Sequence, residues 1–460
     1  MMNIFKKGTN FLAMALMTMS LNSCCLIGEC GVDTTGSEKY ISEFHQQYCG
    51  TNIDPLEKDN LSLYVDYSKC MVLGQHSVFF NALTPSFVDA TKTYFSIEGK
   101  NIVEHDADST YTLLRTITEK DYADLKTVAE KMAESKTESV LLTDGEFYQP
   151  NAAKGGIVNP YLAPALKKWL LKGHDVYMIS EPYKEEHNGN TYNKKRFYIL
   201  FTDNRLSGNI YNRIVQSSKL EDFPECEVFH LSADHPSLYR NENMSHSTLN
   251  PSLTSLTKGF GSYEIQDWQI TWKDAIEPMI VYAVDSKTGE PLPNGDYITK
   301  GIKVDRNSLG AFRIESVSTK VYNINVPYSD YYNEKETKKK PTFDKSTIDN
   351  YDIGNFIMVD TVEFKRHGDV VLYFDPMSYA PKDLLNGAPF NYLKVDICVD
   401  SVTPIFSQYE DKFTFESIDK PGEVNKSVAV SIKQCMTDPD IQTMVTKAPI
   451  YSIYIKSFEY

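Results

Sequence analysis

Leu61-Ser62-Leu63-Tyr64-Val65-Asp66-Tyr67-Ser68-Lys69-Cys70 and Ser139-Val140-Leu141-Leu142-Thr143-Asp144-Gly145-Glu146 are the two stretches on which the fold turns. Each is an apolar run short enough for a buried strand, and each stops at an acidic turn. Between and beyond them the chain alternates helical and extended patterns. Residues 119–134 carry Tyr122, Leu125, Val128, Ala129 and Met132 at helical spacing, with Thr118 and Asp121 as a start signal. Leu162 to Leu171 reads as a helix stopped at Gly173, and Val176 to Ile179 as a strand. Asn188-Gly189 marks a hairpin returning through Arg196 to Phe201, before a helix near 207–217 and a strand near 226–231. This order predicts an α/β domain over 57–235, with a mostly parallel sheet covered by helices on both faces.

Outward from that domain the patterns change. Residues 236–274, rich in Ser, Asn, Thr and Pro at first, read as a linker, with Trp268 and Trp272 packing the junction that follows. Beyond it, Val-, Ile- and Tyr-rich runs (279–284, 297–304, 319–326, 356–364, 369–374, 392–399, 427–432 and 450–455) predict all-β sandwich modules over 275–375 and 376–460. Residues 327–350, with Lys338 to Lys340 in the middle, read as a long polar loop. Thirty tyrosines suit this half, because Tyr favours sheet faces and contact surfaces.

Before the domain lies an export signal over residues 1–23: Lys6 and Lys7, then the apolar run Phe11 to Met19. Leu21-Asn22-Ser23-Cys24 resembles the lipobox of bacterial lipoproteins. That resemblance implies cleavage before Cys24, lipid on its sulfur, and anchoring in the cell envelope at the outer membrane, on its periplasmic face or at the cell surface. Residues 24–56 then read as a tether. With Cys24 lipidated, seven of the eight cysteines remain, so at least one is unpaired, and their spacing shows no metal-finger pattern.

Composition removes some function classes. The chain has 460 residues, with 62 acidic against 47 basic side chains and a formal charge of −15. Nucleic acid is therefore not an expected partner, since phosphate binding needs clustered Lys and Arg. After residue 22 no run of 18 apolar residues occurs that could span a membrane.

In an open α/β sheet, ligands bind beyond the carboxyl ends of the strands, which singles out the loops at 66–70 and 143–146. On these residues the segment 57–235 resembles the von Willebrand factor A-like fold, whose first strand runs into Asp-x-Ser-x-Ser and whose central strand ends in Thr-Asp-Gly. The resemblance implies a metal-ion-dependent adhesion site. Asp66, Ser68 and Asp144 match its first and third loops, and Thr118, or Thr116, matches the threonine of the second. Such oxygens suit a hard cation such as Mg²⁺, with one position left for a carboxylate of a protein partner or envelope component. Cys70 departs from the motif, because a thiol is a poor ligand for that ion. The same Asp and Ser residues could instead cap turns.

Two catalytic readings compete with binding. Cys70 with His76 or His174 would form a thiol nucleophile and base, but no local signature accompanies them. Asp66, Asp144, Asp203 and His230 or His235, all near strand ends, would suit a two-metal phosphate or sulfate ester hydrolase. Neither set is a complete constellation, so the expectation is a non-enzymatic binding or assembly protein, with a purely structural surface component as the plainer alternative.

Overall fold

The computed structural model describes residues 40–49, 55–68, 71–72, 77–232 except 121 and 148–157, 267–272, 279–282, 299–374 except 305, 307–310, 338–344 and 355–356, and 392–458 except 419 and 448. The export signal, Cys24, Cys70, His76 and His235 lie outside the described residues, as do most of the expected linker and the junction at 375–376.

A short helix, α1 (Ile41–Phe44), runs on as a wider turn over His45–Cys49. The α/β part follows as β1 (Glu57–Asp66), α2 (Val78–Ala90), β2 (Thr91–Glu98), β3 (Asn101–Asp106), α3 (Thr110–Arg115), α4 (Leu125–Glu134) and β4 (Thr137–Thr143). It continues as α5 (Ala163–Leu170), β5 (Asp175–His187), β6 (Asn190–Thr202), α6 (Ile210–Ser218) and β7 (Glu227–Ser232). The seven strands form one sheet in the order β3-β2-β1-β4-β6-β5-β7.

Only the central junctions, β1 with β2 and β1 with β4, are parallel; the other four neighbouring pairs are antiparallel. The sheet is therefore mixed, where a mostly parallel one was expected. The cause is the Asn188-Gly189 turn, whose left-handed backbone (φ 50° and 77°) suits a two-residue hairpin. The hairpin folds β6 back along the whole of β5 and inserts it beside β4.

Side-chain alternation gives the sheet two apolar faces. Leu61, Leu63, Val65, Val140 and Leu142 point to one face, where Phe79, Phe80, Leu83 and Phe87 of α2 and Ile210 and Ile214 of α6 cover them. Tyr64, Leu141, Ile199 and Phe201 point to the other, under Leu125, Val128 and Met132 of α4 and Leu166 and Trp169 of α5. Helix α4 starts six residues later than expected, capped by Asp124 Oδ1, which accepts from Thr127 N at 3.2 Å. Thr118 is not its cap: Lys120 N donates to Tyr67 O at 2.7 Å and ties the preceding segment to the end of β1.

The later strands are β8 (Asp267–Trp272), β9 (Met279–Tyr282), β10 (Thr299–Lys303), β11 (Phe312–Asn323), β12 (Asp352–Gly354), β13 (Ile357–Val359), β14 (Asp369–Phe374), β15 (Tyr392–Pro404), β16 (Phe415–Glu416), β17 (Val424–Asn425) and β18 (Pro449–Phe458). They form smaller antiparallel sheets, of which the largest has the order β12-β11-β15-β18-β8-β9. Strand β11, from the expected module 275–375, pairs along its length with β15, from the expected module 376–460. Both expected modules therefore contribute to one sheet. Strand β8, expected in the linker, joins it beside β18.

This half also holds helices: α7 (Asn325–Thr337), α8 (Thr361–His367) and α9 (Ser427–Met436) stand where strands and a loop were expected, and α10 (Pro439–Lys447) lies between the expected strands 427–432 and 450–455. The expected polar loop 327–350 opens as α7, because Tyr328 and Tyr331 are buried one turn apart. The run 427–432 is the start of α9, which buries Val428, Ala429, Ile432, Cys435 and Met436, the pattern of one helix face.

Helix α9 packs on α5 and supplies what α5 lacks. Leu162 cannot cap α5 with its side chain, so Ser431 Oγ accepts from Leu162 N at 3.2 Å and Ser427 Oγ from Asn159 N at 3.1 Å. Residues 40–49, expected in the tether, dock on the later half instead. Phe44 is fully buried against Tyr48, Tyr328 and Tyr331, and His45 Nδ1 lies 2.7 Å from the Tyr454 hydroxyl.

Candidate functional site at the sheet rim

Because β1 and β4 are adjacent and parallel, with Val65 opposite Leu142, Asp66 and Asp144 emerge at the same rim. Asp66 is fully buried. Its Oδ1 accepts from Ser68 N at 2.8 Å, closing the turn, and its Oδ2 accepts from Thr143 Oγ1 at 2.8 Å. Burial pushes its carboxyl up to about 6; the bonds from Ser68 and Thr143 oppose that, and the Glu146 charge adds to it. Thr143 Oγ1 also accepts from Gly145 N at 3.0 Å, so one hydroxyl joins the two turns.

Asp144, 1% exposed, repeats the turn chemistry: its Oδ1 accepts from Glu146 N at 2.9 Å. Gly145 has φ +77°, and a Cβ there would stand 2.7 Å from Phe197 Cε2, so glycine is required twice over. Tyr161 OH donates to Gly145 O at 3.2 Å, and its ring stacks on Phe147. Glu146 pairs with the enclosed ammonium of Lys194, which lies over the Phe415 ring at 4.5 Å.

Ser68 is 6% exposed and its Oγ makes no hydrogen bond of good geometry, although it stands close enough to Asp66 to favour the charged carboxylate. Thr118 is exposed in the segment after α3. Thr116, the other candidate, is also exposed and spends its hydroxyl on Thr112 O at 2.7 Å. The rim thus brings Asp66, Ser68 and Asp144 together from two loops. Among the described residues no group of three or more His, Cys, Asp or Glu is placed to hold a metal ion, so hydroxyls would have to complete any ligand set.

The acids and histidines of the hydrolase reading separate. Thr202, at the end of β6, hydrogen-bonds Glu138, at the start of β4, which puts Asp203 at the opposite rim from Asp66. There Asp203 is held by His174 Nδ1 at 2.8 Å and by Arg205, which together keep its carboxyl below the usual range despite burial. His230 Nε2 lies 2.8 Å from Asp175 Oδ1 at that same rim. These pairs satisfy one another, and His174 is remote from the loop after β1.

Sequence reasoning missed Thr143 as the link between the turns, and it missed Arg196. Arg196 is fully buried on the α2 face, with Nη1 3.3 Å from both Glu181 Oε2 and Ser77 Oγ. In the sequence Arg196 follows Lys194 and Lys195 at the head of the apolar run Phe197 to Phe201, so nothing there set it apart from the lysines before it. No protein-family model, curated protein or solved structure matches the chain.

Proposed function

We propose that this is a lipid-anchored cell-envelope protein whose α/β part, similar to a von Willebrand factor A domain, binds a protein partner or envelope component at the rim formed by Asp66, Ser68 and Asp144. The observation that carries the reading is the hydroxyl bridge from Thr143 to Asp66, which joins the Asp-x-Ser and Thr-Asp-Gly turns into one unit. Helices on both faces of the sheet support the resemblance, while the hairpin strand β6 beside β4 departs from a purely parallel order.

A divalent cation such as Mg²⁺ fits part of this rim. The Asp66 carboxylate has lone pairs beyond its two hydrogen bonds, the Ser68 hydroxyl stands enclosed beside it, and Asp144 adds a second carboxylate. When bound, such an ion would offer a coordination position to a partner's carboxylate. Thr118 would have to turn inward to join it. The residues themselves do something simpler: the paired turns hold two acids rigidly at one edge, where burial makes an uncompensated charge costly and a cation or cationic partner welcome. This is binding chemistry rather than catalysis.

Titration of Mg²⁺ or Mn²⁺ into the full chain, followed by calorimetry, tests the metal part. Saturable heat that vanishes in Asp144→Ala is expected. Absence of heat would reduce the rim to a structural turn.

A further inference from the structure

The two edges of the seven-stranded sheet differ. At one of them β7 buries Phe229, Leu231 and Ser232. At the other, β3 pairs among the described residues only with β2, and none of its six residues is buried. The pairing runs from Asn101 opposite Glu98 to Asp106 opposite Thr93 without a shift of register, so no bulge twists the strand away. Asn101 to Asp106 contains no proline and no lysine, two other common guards of a sheet edge. Among the described residues no further backbone hydrogen bond reaches these six positions. The outer N–H and C=O groups of a straight strand are therefore open to solvent, in the row that a further strand would pair with.

The side chains along this edge limit what that strand can be. Alternation puts Ile102, Glu104 and Asp106 on one side and Asn101, Val103 and His105 on the other. Glu104 and Asp106 are exposed and, among the described residues, form no ion pair. Val103 is 37% exposed, whereas His105 is engaged, its Nε2 lying 2.8 Å from Ser96 Oγ. A strand laid beside β3 would thus meet two acids on one side and a valine between them on the other. Like charges directly opposite one another destabilise a pair of strands, and two copies of a chain of charge −15 repel. The edge is in this way closed to a second copy and matched to a strand of opposite charge.

We infer that β3 is a docking edge that takes an extended basic segment of a partner protein, added to the sheet as an eighth strand. Backbone hydrogen bonds supply the pairing, and lysine or arginine at alternate positions, facing Glu104 and Asp106, selects the segment. The residues between them are apolar and cover Val103. The inference names a surface apart from the proposed rim, since β3 contributes nothing to Asp66, Ser68 or Asp144, and it stands if no cation binds there.

The probe is a capped peptide of alternating lysine and valine, six residues long, added to the full chain at fixed ionic strength. Saturable binding by fluorescence anisotropy is expected, with amide exchange slowed at residues 101–106. The same peptide methylated at every amide nitrogen keeps its charges but cannot join the ladder, and it should leave that exchange unchanged. Glu104→Lys replaces an attraction by a repulsion at an exposed position and should weaken binding about fivefold, while a peptide alternating glutamate and valine gains. Binding that survives methylation, or that does not slow exchange at 101–106, is charge attraction elsewhere on an acidic chain and overturns the inference. Absence of binding overturns it too, as does a native dimer in which 101–106 are already protected, which would assign the edge to a second copy.

Discussion

Thr143 Oγ1 donates to Asp66 Oδ2 across 2.8 Å and accepts from Gly145 N, so that two turns 77 residues apart share one hydroxyl. Thr143→Val keeps the shape and removes the link, leaving Gly145 N and Asp66 Oδ2 each short of a bond in a buried place. Chemical denaturation should show a loss of about 1–3 kcal/mol. The Asp66 carboxyl should move further up, because one of the bonds favouring its charge has gone.

The pH dependence follows from the direction of that shift. The folded state holds the Asp66 proton up to about 6, whereas the unfolded chain releases it near 3.8. The stability this group contributes is full below the unfolded value and is lost as pH rises through the folded one. The difference amounts to roughly 3 kcal/mol for a fully buried group. In Asp66→Asn the fall in stability between pH 4 and 6 should therefore be shallower than in the native chain. Equal slopes in urea titrations across that range would show that Asp66 is not the group responsible.

Gly145→Ala should be severe for a substitution of one methyl group. The backbone there is left-handed, and the new carbon would meet Phe197 Cε2 at 2.7 Å and Phe197 Cδ2 at 2.9 Å. A loss of about 2 kcal/mol or more is expected by denaturation, with the Phe197 ring displaced in a crystal structure of the variant.

Phe44→Ala tests whether the segment before the α/β part is bound in place. Phe44 is fully buried among Tyr48, Tyr328 and Tyr331, so its removal should cost about 3–5 kcal/mol locally. Amide exchange should quicken over residues 40–49 and 325–332 while β1 and β4 stay protected. Unchanged exchange would mean the helix is held by its polar contacts alone, such as Lys335 with Glu43 at 2.6 Å.

Much of the α/β part was legible because its signals are local. The runs ending at Asp66 and Thr143 are apolar for the length of a buried strand, Asn188-Gly189 has a backbone preference that marks a turn, and Gly173 ends α5 with φ +82°. Helix α2 went unread: Pro85 interrupts it, and its apolar residues are too many to show a stripe. Ser427 to Ile432 reads equally as strand or helix, and only its burial against α5 decides for α9.

What sequence alone could establish was the kind of each segment and the two acidic turns, since side-chain period and turn chemistry reside in neighbouring residues. Tertiary structure alone decided that β6 enters beside β4, that β11 and β15 pair across the two expected modules in one sheet, and that Ser431 caps a helix 269 residues earlier. It also set Asp66 under Thr143 and enclosed Arg196 beside Glu181. Such pairings depend on which surfaces together exclude water and satisfy buried polar groups. That free energy belongs to contacts between distant segments and leaves no mark in either one by itself.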